Sequence, residues 1–164
     1  MDIDKAVAMA EAWAKWYTSP LECGTTTPLE ILDNITDRNE ETYTRLCPLS
    51  HSGEDLEGCP IYWEQSGYIS GRFAELADHI SLDDMVTRHV RNQELAMCRL
   101  YHLSKKHNKP IEKQIIVFNL KDLTYSMDTR SMAVFRRILA VDQDYYPERL
   151  KHFFVINCPW YAPV

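Results

Sequence analysis

The sequence has little glycine and none of the glycine-dependent signatures of catalysis. Its five glycines form neither a phosphate-cradling loop nor a Gly-x-Ser-x-Gly nucleophile elbow, and no cysteine starts a phosphatase loop. The stretch Ser50-His51-Ser52 does put a histidine beside serines, but within an acidic loop that supplies no positioned third group. We therefore expect a protein that is not an enzyme.

Metal and disulfide spacings are also missing. The five cysteines form no Cys-x-x-Cys pair, and the six histidines show no His-x-x-x-His spacing. We expect no metal site and no cofactor, and free thiols in a reducing compartment.

Long apolar runs and an excess of basic charge are absent as well. No stretch approaches the roughly 20 apolar residues that cross a bilayer, and the acidic start of the chain is unlike a secretory signal. A net charge of -6 argues against a nucleic-acid partner. The expected location is the cytoplasm.

Hydrophobic periodicity predicts alternating strands and helices. Strands are expected at 61–64, 114–120 and 152–158, and helices at 2–17, 81–107 and 127–142. Strand, long helix, strand, helix, strand is the order that right-handed crossovers produce in a parallel sheet. The length fits one domain. The fold class is therefore α/β, a mostly parallel sheet flanked by helices, with three recognisable strands.

Finer expectations concern the loops and the apolar faces. The segment 25–58 reads as irregular, with a short helical possibility at 28–34 and a loop from residue 50 to the first strand. The run 152–157 reads as a buried strand. In the last helix Met132, Phe135, Ile138 and Leu139 fall on one side.

Three motifs, in order, resemble the CRAL-TRIO lipid-binding family. GCPIYWE (58–64) is similar to its "G-x-P-hydrophobic-aromatic" strand, and FNLKD (118–122) to its "D-L-x-G" strand end. YYPERL (145–150) followed by FVINCP (154–159) is similar to "YPE-R … INAP". The resemblance implies a CRAL-TRIO fold incomplete at both ends: residues 1–57 as the end of the N-terminal helical module plus a linker, and 58–164 as a partial lipid-binding domain.

The same resemblance implies a function. Family members bind and exchange a single lipid or isoprenoid ligand without catalysis, at a transiently contacted membrane surface. We therefore expect intermembrane transfer of a hydrophobic ligand, with a phospholipid such as phosphatidylinositol as the ligand. Two alternatives stay open: a protein-interaction scaffold that uses the same fold, and an inactive truncated fragment.

The resemblance also suggests residues for the headgroup. Glu148 matches the glutamate that relatives use near the inositol phosphate. Relatives carry an arginine after the helix tryptophan; here Trp13 is followed by Ala14, and Lys15 is the nearest cation. Glu148 also has a purely structural interpretation, as part of the turn into the strand.

Other residues are candidates for the ligand pocket. Gln114 and Ile116 stand where phosphatidylcholine-binding relatives have hydroxyl residues. His89 and Gln93 interrupt an apolar helix stripe, which indicates either a cavity lining or hydrogen-bonded core residues. Aromatic residues beside strands are pocket walls or ordinary core. The pocket candidates are Tyr62, Trp63, His89, Gln93, Gln114, Ile116 and Phe118.

Overall fold

A computed structural model describes residues 3–21, 26–33, 39–124 and 128–161. Its helices are α1 (Ile3–Tyr17), α2 (Glu40–Leu46), α3 (Ser66–Ser70), α4 (Phe73–His79), α5 (Leu82–His107) and α6 (Thr129–Tyr145), with one 3-10 turn at Pro28–Glu30. Its strands are β1 (Leu49–Glu54), β2 (Pro60–Glu64), β3 (Gln114–Asn119) and β4 (Leu150–Ile156).

The four strands form one sheet in the order β1-β2-β3-β4. β2, β3 and β4 run parallel, and β1 pairs antiparallel with β2. The helices α5 and α6 provide the two crossovers between the parallel strands and pack on each other. This confirms the α/β class and the parallel order of the three predicted strands.

The long helix begins and ends where its sequence indicates. The Ser81 hydroxyl accepts a hydrogen bond from the backbone N–H of Asp84, which caps the first turn. Asp83 and Asp84 lie at the positive end of the helix dipole, and lysines lie at the negative end. Asn108 ends the helix in a left-handed conformation with φ 51°. The bounds of this 26-residue helix were therefore predictable from its sequence.

Strand β1 corrects the loop expected from residue 50 onward. Ser50, Ser52 and Gly53 lack strand character, yet β1 pairs with β2 from Leu49 to Glu54 through an irregularity after His51. Gly53 has φ 82°, a conformation that glycine adopts without strain. Among the described residues β1 is an edge strand with β2 as its one neighbour, so polar side chains can face solvent and period-two apolar patterning is absent.

The segment before β1 was also misread as irregular. It contains α2, and the helical possibility at 28–34 reduces to one 3-10 turn, Pro28–Glu30, capped by Thr27. Tyr43 and Leu46 of α2 enter a core cluster with Phe73, Leu76 and Ile80 of the α4 region. α2 is thus held by tertiary packing, which short-range propensity does not register.

Helix α1 confirms the first predicted helix, although Asp2, its expected cap, lies outside the described residues. None of its residues is buried. It contacts α6 through Trp16, whose ring stacks on Tyr145 at 4.0 Å between centroids. No helix among the described residues is long and apolar enough to cross a membrane.

The C-terminal elements differ most from expectation in their burial. Ile138 packs on the core, but Met132, Phe135 and Leu139 are exposed by 38–44%. Within the described residues β4 has β3 as its one strand neighbour, so the expected buried strand is exposed on both faces: Phe153 by 48% and Phe154 by 50%. The apolar residues of α6 and β4 therefore form surfaces that the described residues leave exposed to solvent.

Candidate functional site

Four of the predicted pocket residues lie on a single face of the sheet. The register pairs Tyr62 with Ile116 and Ile116 with Phe153. Because side chains alternate along a strand, Gln114 and Phe118 share that face of β3. The ring of Phe118 meets that of Phe153 edge-on, 4.8 Å between centroids.

This face is the one beside α5. His51 of β1 is in register with Tyr62, and their rings lie 5.1 Å apart. His51 also lines a groove together with Arg88 and Arg99 of α5. We call the surface formed by Tyr62, Gln114, Ile116, Phe118, Phe153 and Val155 the α5 face.

Trp63 lies on the opposite face of the sheet. Its register partner is Val117, which in turn is paired with Phe154. The structure therefore separates Trp63 from the other pocket candidates. The strand alternation around Tyr62-Trp63 was visible in the sequence and indicated that neighbouring residues point in opposite directions.

The two polar interruptions of α5 have a protein partner. Asp142 of α6 lies 2.7 Å from His89 Nε2 and accepts a hydrogen bond of 2.8 Å from Gln93 Nε2. These contacts fit the alternative of hydrogen-bonded core residues and join α5 to α6. A role of either side chain toward a ligand stays a prediction.

Gln114 differs, because part of its amide has no partner. The residue is 7% exposed, and among the described residues nothing hydrogen-bonds to its buried Oε1 atom. A buried carbonyl oxygen without a donor costs about 1–3 kcal/mol. A ligand hydroxyl on the α5 face would satisfy it.

Glu64 is a half-buried carboxyl group that the sequence interpretation overlooked. Its two oxygens accept hydrogen bonds from Tyr62 Oη at 3.2 Å and Ser66 Oγ at 2.8 Å. Burial raises the pKa of Glu64, although both hydroxyls and His89 oppose the shift. Burial, followed by the Glu64 carboxylate, also raises the pKa of Tyr62. A glutamate at a core-facing strand position was the available signal.

We expect Glu64→Gln to become more stable relative to the parent as the pH rises. A raised folded-state pKa means that the folded chain binds the Glu64 proton more tightly than the unfolded chain does. The parent therefore loses stability above the usual value near 4.5, through a window that ends at the folded pKa. Glutamine carries no charge and avoids this loss.

The test is urea unfolding of both proteins at about pH 4.5 and about pH 7.5. The variant's gain should be larger at the higher pH, whereas exposed Glu112→Gln should show no such trend. An equal difference at both pH values would contradict an unfavourable charge on Glu64.

The headgroup candidates lie at the surface. Glu148 is 88% exposed in its side chain and contacts Lys113 Nζ at 3.3 Å. Its φ of 61° is a left-handed conformation, which glutamate rarely adopts. Lys15 is exposed near the end of α1. Lys113 is a cation that sequence reasoning missed, since its proximity to Glu148 depends on β3 and β4 being neighbours.

The tyrosines before Glu148 fix the motif to the helices. Tyr146 is 8% exposed, and its hydroxyl donates to Glu94 Oε1 at 2.7 Å. Tyr17 of α1 donates to Glu94 Oε2 at 3.0 Å. Burial, then Glu94, raises the pKa of Tyr17 to about 12, so its hydroxyl remains a donor at neutral pH. Glu94 thus joins α1, α5 and the YYPER segment.

Comparison with known proteins agrees with this architecture. The family model for the CRAL/TRIO domain matches residues 47–164. The chain belongs to the CRAL/TRIO domain family. The match includes β1, and the predicted boundary between 57 and 58 stays a prediction.

Individual relatives are longer than this chain, so a match that covers most of this chain covers only about half of the relative. The "Sec14 cytosolic factor" of Schizosaccharomyces pombe is 29% identical over 132 residues, which is 80% of this chain and 46% of that protein. The "SEC14 cytosolic factor" of Candida glabrata is 26% identical over 160 residues, 97% of this chain and 50% of that protein. The chain therefore spans about half the length of these relatives.

A solved structure agrees at the level of the fold. The crystal structure of Sfh5 aligns with a TM-score of 0.61 over 81% of this chain and 44% of its own, at 19% identity. At that identity the likeness establishes the CRAL/TRIO fold alone.

Proposed function

We propose that this CRAL/TRIO protein binds a hydrophobic ligand without catalysis and transfers it between membranes, and that the ligand is a phospholipid such as phosphatidylinositol. The observation that carries the proposal is the exposed apolar end of the α5 face. There Phe153 and Val155 are exposed by 48% and 41% and continue from the part-buried Phe118. Family membership supports one lipid or isoprenoid per protein.

The acyl chain of a lipid would give these exposed apolar side chains an apolar partner. Each methylene group moved from water to an apolar surface contributes about 0.8 kcal/mol. Phe135 and Leu139 of α6 are two further large apolar side chains exposed to solvent, at 44% and 43%. When an acyl chain packs on such side chains, the apolar surfaces of both the protein and the lipid leave water, and both contributions favour binding.

Polar groups at the N-terminal ends of β3 and β4 would orient the head of the lipid. Glu148 cannot attract a phosphate, but its carboxylate can accept hydrogen bonds from inositol hydroxyls and can hold Lys113 toward a phosphate. The unpaired Gln114 oxygen is a second acceptor. In this proposal the protein works in the cytoplasm and touches membranes transiently, during loading and release.

Transfer of fluorescent phosphatidylinositol and phosphatidylcholine between vesicles tests both parts of the proposal. We expect both lipids to be transferred, with a preference below about tenfold, because Ala14, Gln114 and Ile116 replace headgroup residues of relatives. Glu148→Gln should slow phosphatidylinositol transfer about fivefold, the value of about one hydrogen bond, and leave phosphatidylcholine transfer unchanged.

Glu112→Gln removes the same charge from a nearby exposed position and serves as the control. No transfer of any lipid class by the folded protein would overturn the proposed function. Equal slowing of both lipids by Glu148→Gln would overturn the headgroup role of Glu148 and leave the transfer function in place.

A further inference from the structure

A cavity with a volume of about 300 Å³ lies where the end of α1 meets α5 and α6. Its lining includes Trp16 from α1, Val86 and Val90 from α5, and Ala140 and Tyr145 from α6. None of its described lining residues belongs to the α5 face or to the groove between α5 and β1. The cavity is therefore separate from the proposed lipid surface.

Most of the cavity wall is apolar. Val90 is fully buried, and the indole ring of Trp16 stacks on the ring of Tyr145, with 4.0 Å between centroids and 4° between planes. Pockets for small molecules have volumes of about 300–1,000 Å³ and are mostly apolar, with a few polar groups that fix the orientation of the ligand. The size and the wall of this cavity therefore fit a small molecule with an apolar body.

Three charged side chains also line the cavity: Asp83, Arg137 and Asp144. The Arg137 guanidinium lies 2.8 Å from a carboxylate oxygen of Asp83, so these two charges offset each other. The Asp144 carboxylate, in contrast, forms no hydrogen bond or ion pair with any residue that the structure describes. The polar part of the wall therefore includes one carboxylate without a protein partner.

Asp144 also occupies an unfavourable position in its helix. It lies in the last turn of α6, where the free backbone carbonyls form the negative end of the helix dipole, and that turn has no basic side chain. A negative side chain at this end destabilises a helix unless a cation lies nearby. A bound cation at the cavity would offset both the carboxylate and the end of the helix.

We propose that this cavity binds a small organic cation, a protonated amine with an apolar body. The apolar body would pack on Trp16 and Val90, and the ammonium group would donate a charge-assisted hydrogen bond to Asp144. This ligand is chemically different from a lipid and occupies a different part of the molecule. The proposal therefore goes beyond lipid transfer and does not depend on it.

Benzylamine and benzyl alcohol form a matched pair of probes, because both carry one phenyl ring and only the amine is charged at neutral pH. The readout is the indole N–H signal of Trp16 in a nuclear magnetic resonance titration, assigned with Trp16→Phe. We expect benzylamine to shift this signal saturably and to leave the signals of Trp63 and Trp160, which lie outside the cavity, unchanged. Benzyl alcohol should bind at least about fivefold more weakly, because it lacks the charge-assisted hydrogen bond.

Substitution of Asp144 tests the polar contact. Asp144→Asn should weaken benzylamine binding about fivefold and leave benzyl alcohol binding unchanged. Asp4→Asn removes the same charge from an exposed position of α1 outside the cavity and should affect neither probe.

Thermal melting of Asp144→Asn without a probe provides an independent readout. The variant should melt about 1–3 °C higher than the parent, because it removes a carboxylate from the negative end of α6. A lower melting temperature would mean that the fold itself neutralises Asp144, and would overturn the assignment of this carboxylate to a ligand.

A matched pair of alanine variants tests the location. Ala140 lines the cavity from an exposed position of α6, and Ala133 is exposed about two turns earlier in the same helix, outside the cavity. Ala140→Phe should fill the cavity and weaken benzylamine binding at least about tenfold, whereas Ala133→Phe should have no effect. Three results would each overturn the proposal, whether or not the protein transfers lipid: no benzylamine binding, binding that survives Ala140→Phe, or equal binding of both probes that Asp144→Asn leaves unchanged.

Discussion

Phe153→Asp should abolish most lipid binding, whereas Phe154→Asp should leave it nearly unchanged. The two phenylalanines are adjacent and equally exposed, at 48% and 50%, but they point to opposite faces of β4. Phe153 belongs to the α5 face beside Phe118, and Phe154 follows the register of Val117. A carboxylate against an acyl chain must be desolvated, so we expect at least about a tenfold loss of bound lipid for Phe153→Asp.

The measurement is lipid retained after incubation with vesicles, scored per folded protein. Both variants place a carboxylate on the same strand, so general effects on solubility or on β4 cancel between them. Loss of lipid from Phe154→Asp alone would place the ligand on the Trp63 side of the sheet. Lipid binding that resists both substitutions would contradict a ligand on β4.

Among single substitutions of polar residues, we expect Glu94→Ala to give the largest loss of stability. The Glu94 carboxylate is 8% exposed and accepts hydrogen bonds from Tyr146 and Tyr17. Removing it leaves the buried Tyr146 hydroxyl without its partner, and a broken buried hydrogen bond to a charged group costs about 3 kcal/mol. Urea unfolding followed by fluorescence measures the change.

Two tyrosine variants divide this effect between the helices. Tyr146→Phe should cost about 2 kcal/mol, because its hydroxyl bond is short and buried. Tyr17→Phe should cost about 1 kcal/mol, because Tyr17 is only half-buried. A Glu94→Ala protein as stable as the parent would contradict the role of Glu94 as the link between α1, α5 and the YYPER segment.

The sequence predicted the elements that local chemistry determines. The helix α5 has a side-chain cap at Ser81 and charges that complement its dipole, so its bounds follow from short-range interactions. Strand β3 has a continuous apolar centre, and the structure buries Ile115 and Val117 of it. Parallel order followed from the alternation of strands with long helices.

Other elements depend on tertiary contacts that no local pattern encodes. β1 is polar and exists because β2 offers it hydrogen-bonding groups. α2 is a short helix stabilised by burial of Tyr43 and Leu46. The apolar runs of β4 and α6 indicated burial, but burial needs a covering partner. No part of the chain that the structure describes covers Phe153 or Phe135 fully, and both side chains stay exposed.

The candidate site shows the same division. Strand alternation was sufficient to group Ile116 with Phe118, and it should have set Trp63 apart from Tyr62. The pairing of Lys113 with Glu148 and the convergence of Tyr146 and Tyr17 on Glu94 join residues far apart in sequence. Such contacts required the register of the parallel strands.

Native mass spectrometry of the protein purified from cells tests the central claim most directly. We predict one lipid molecule per protein, released on denaturation and identified as a phospholipid by fragmentation, with less of it in Phe153→Asp than in Phe154→Asp. Protein that stays ligand-free after purification, and after incubation with several lipid classes, would contradict lipid binding by this CRAL/TRIO domain.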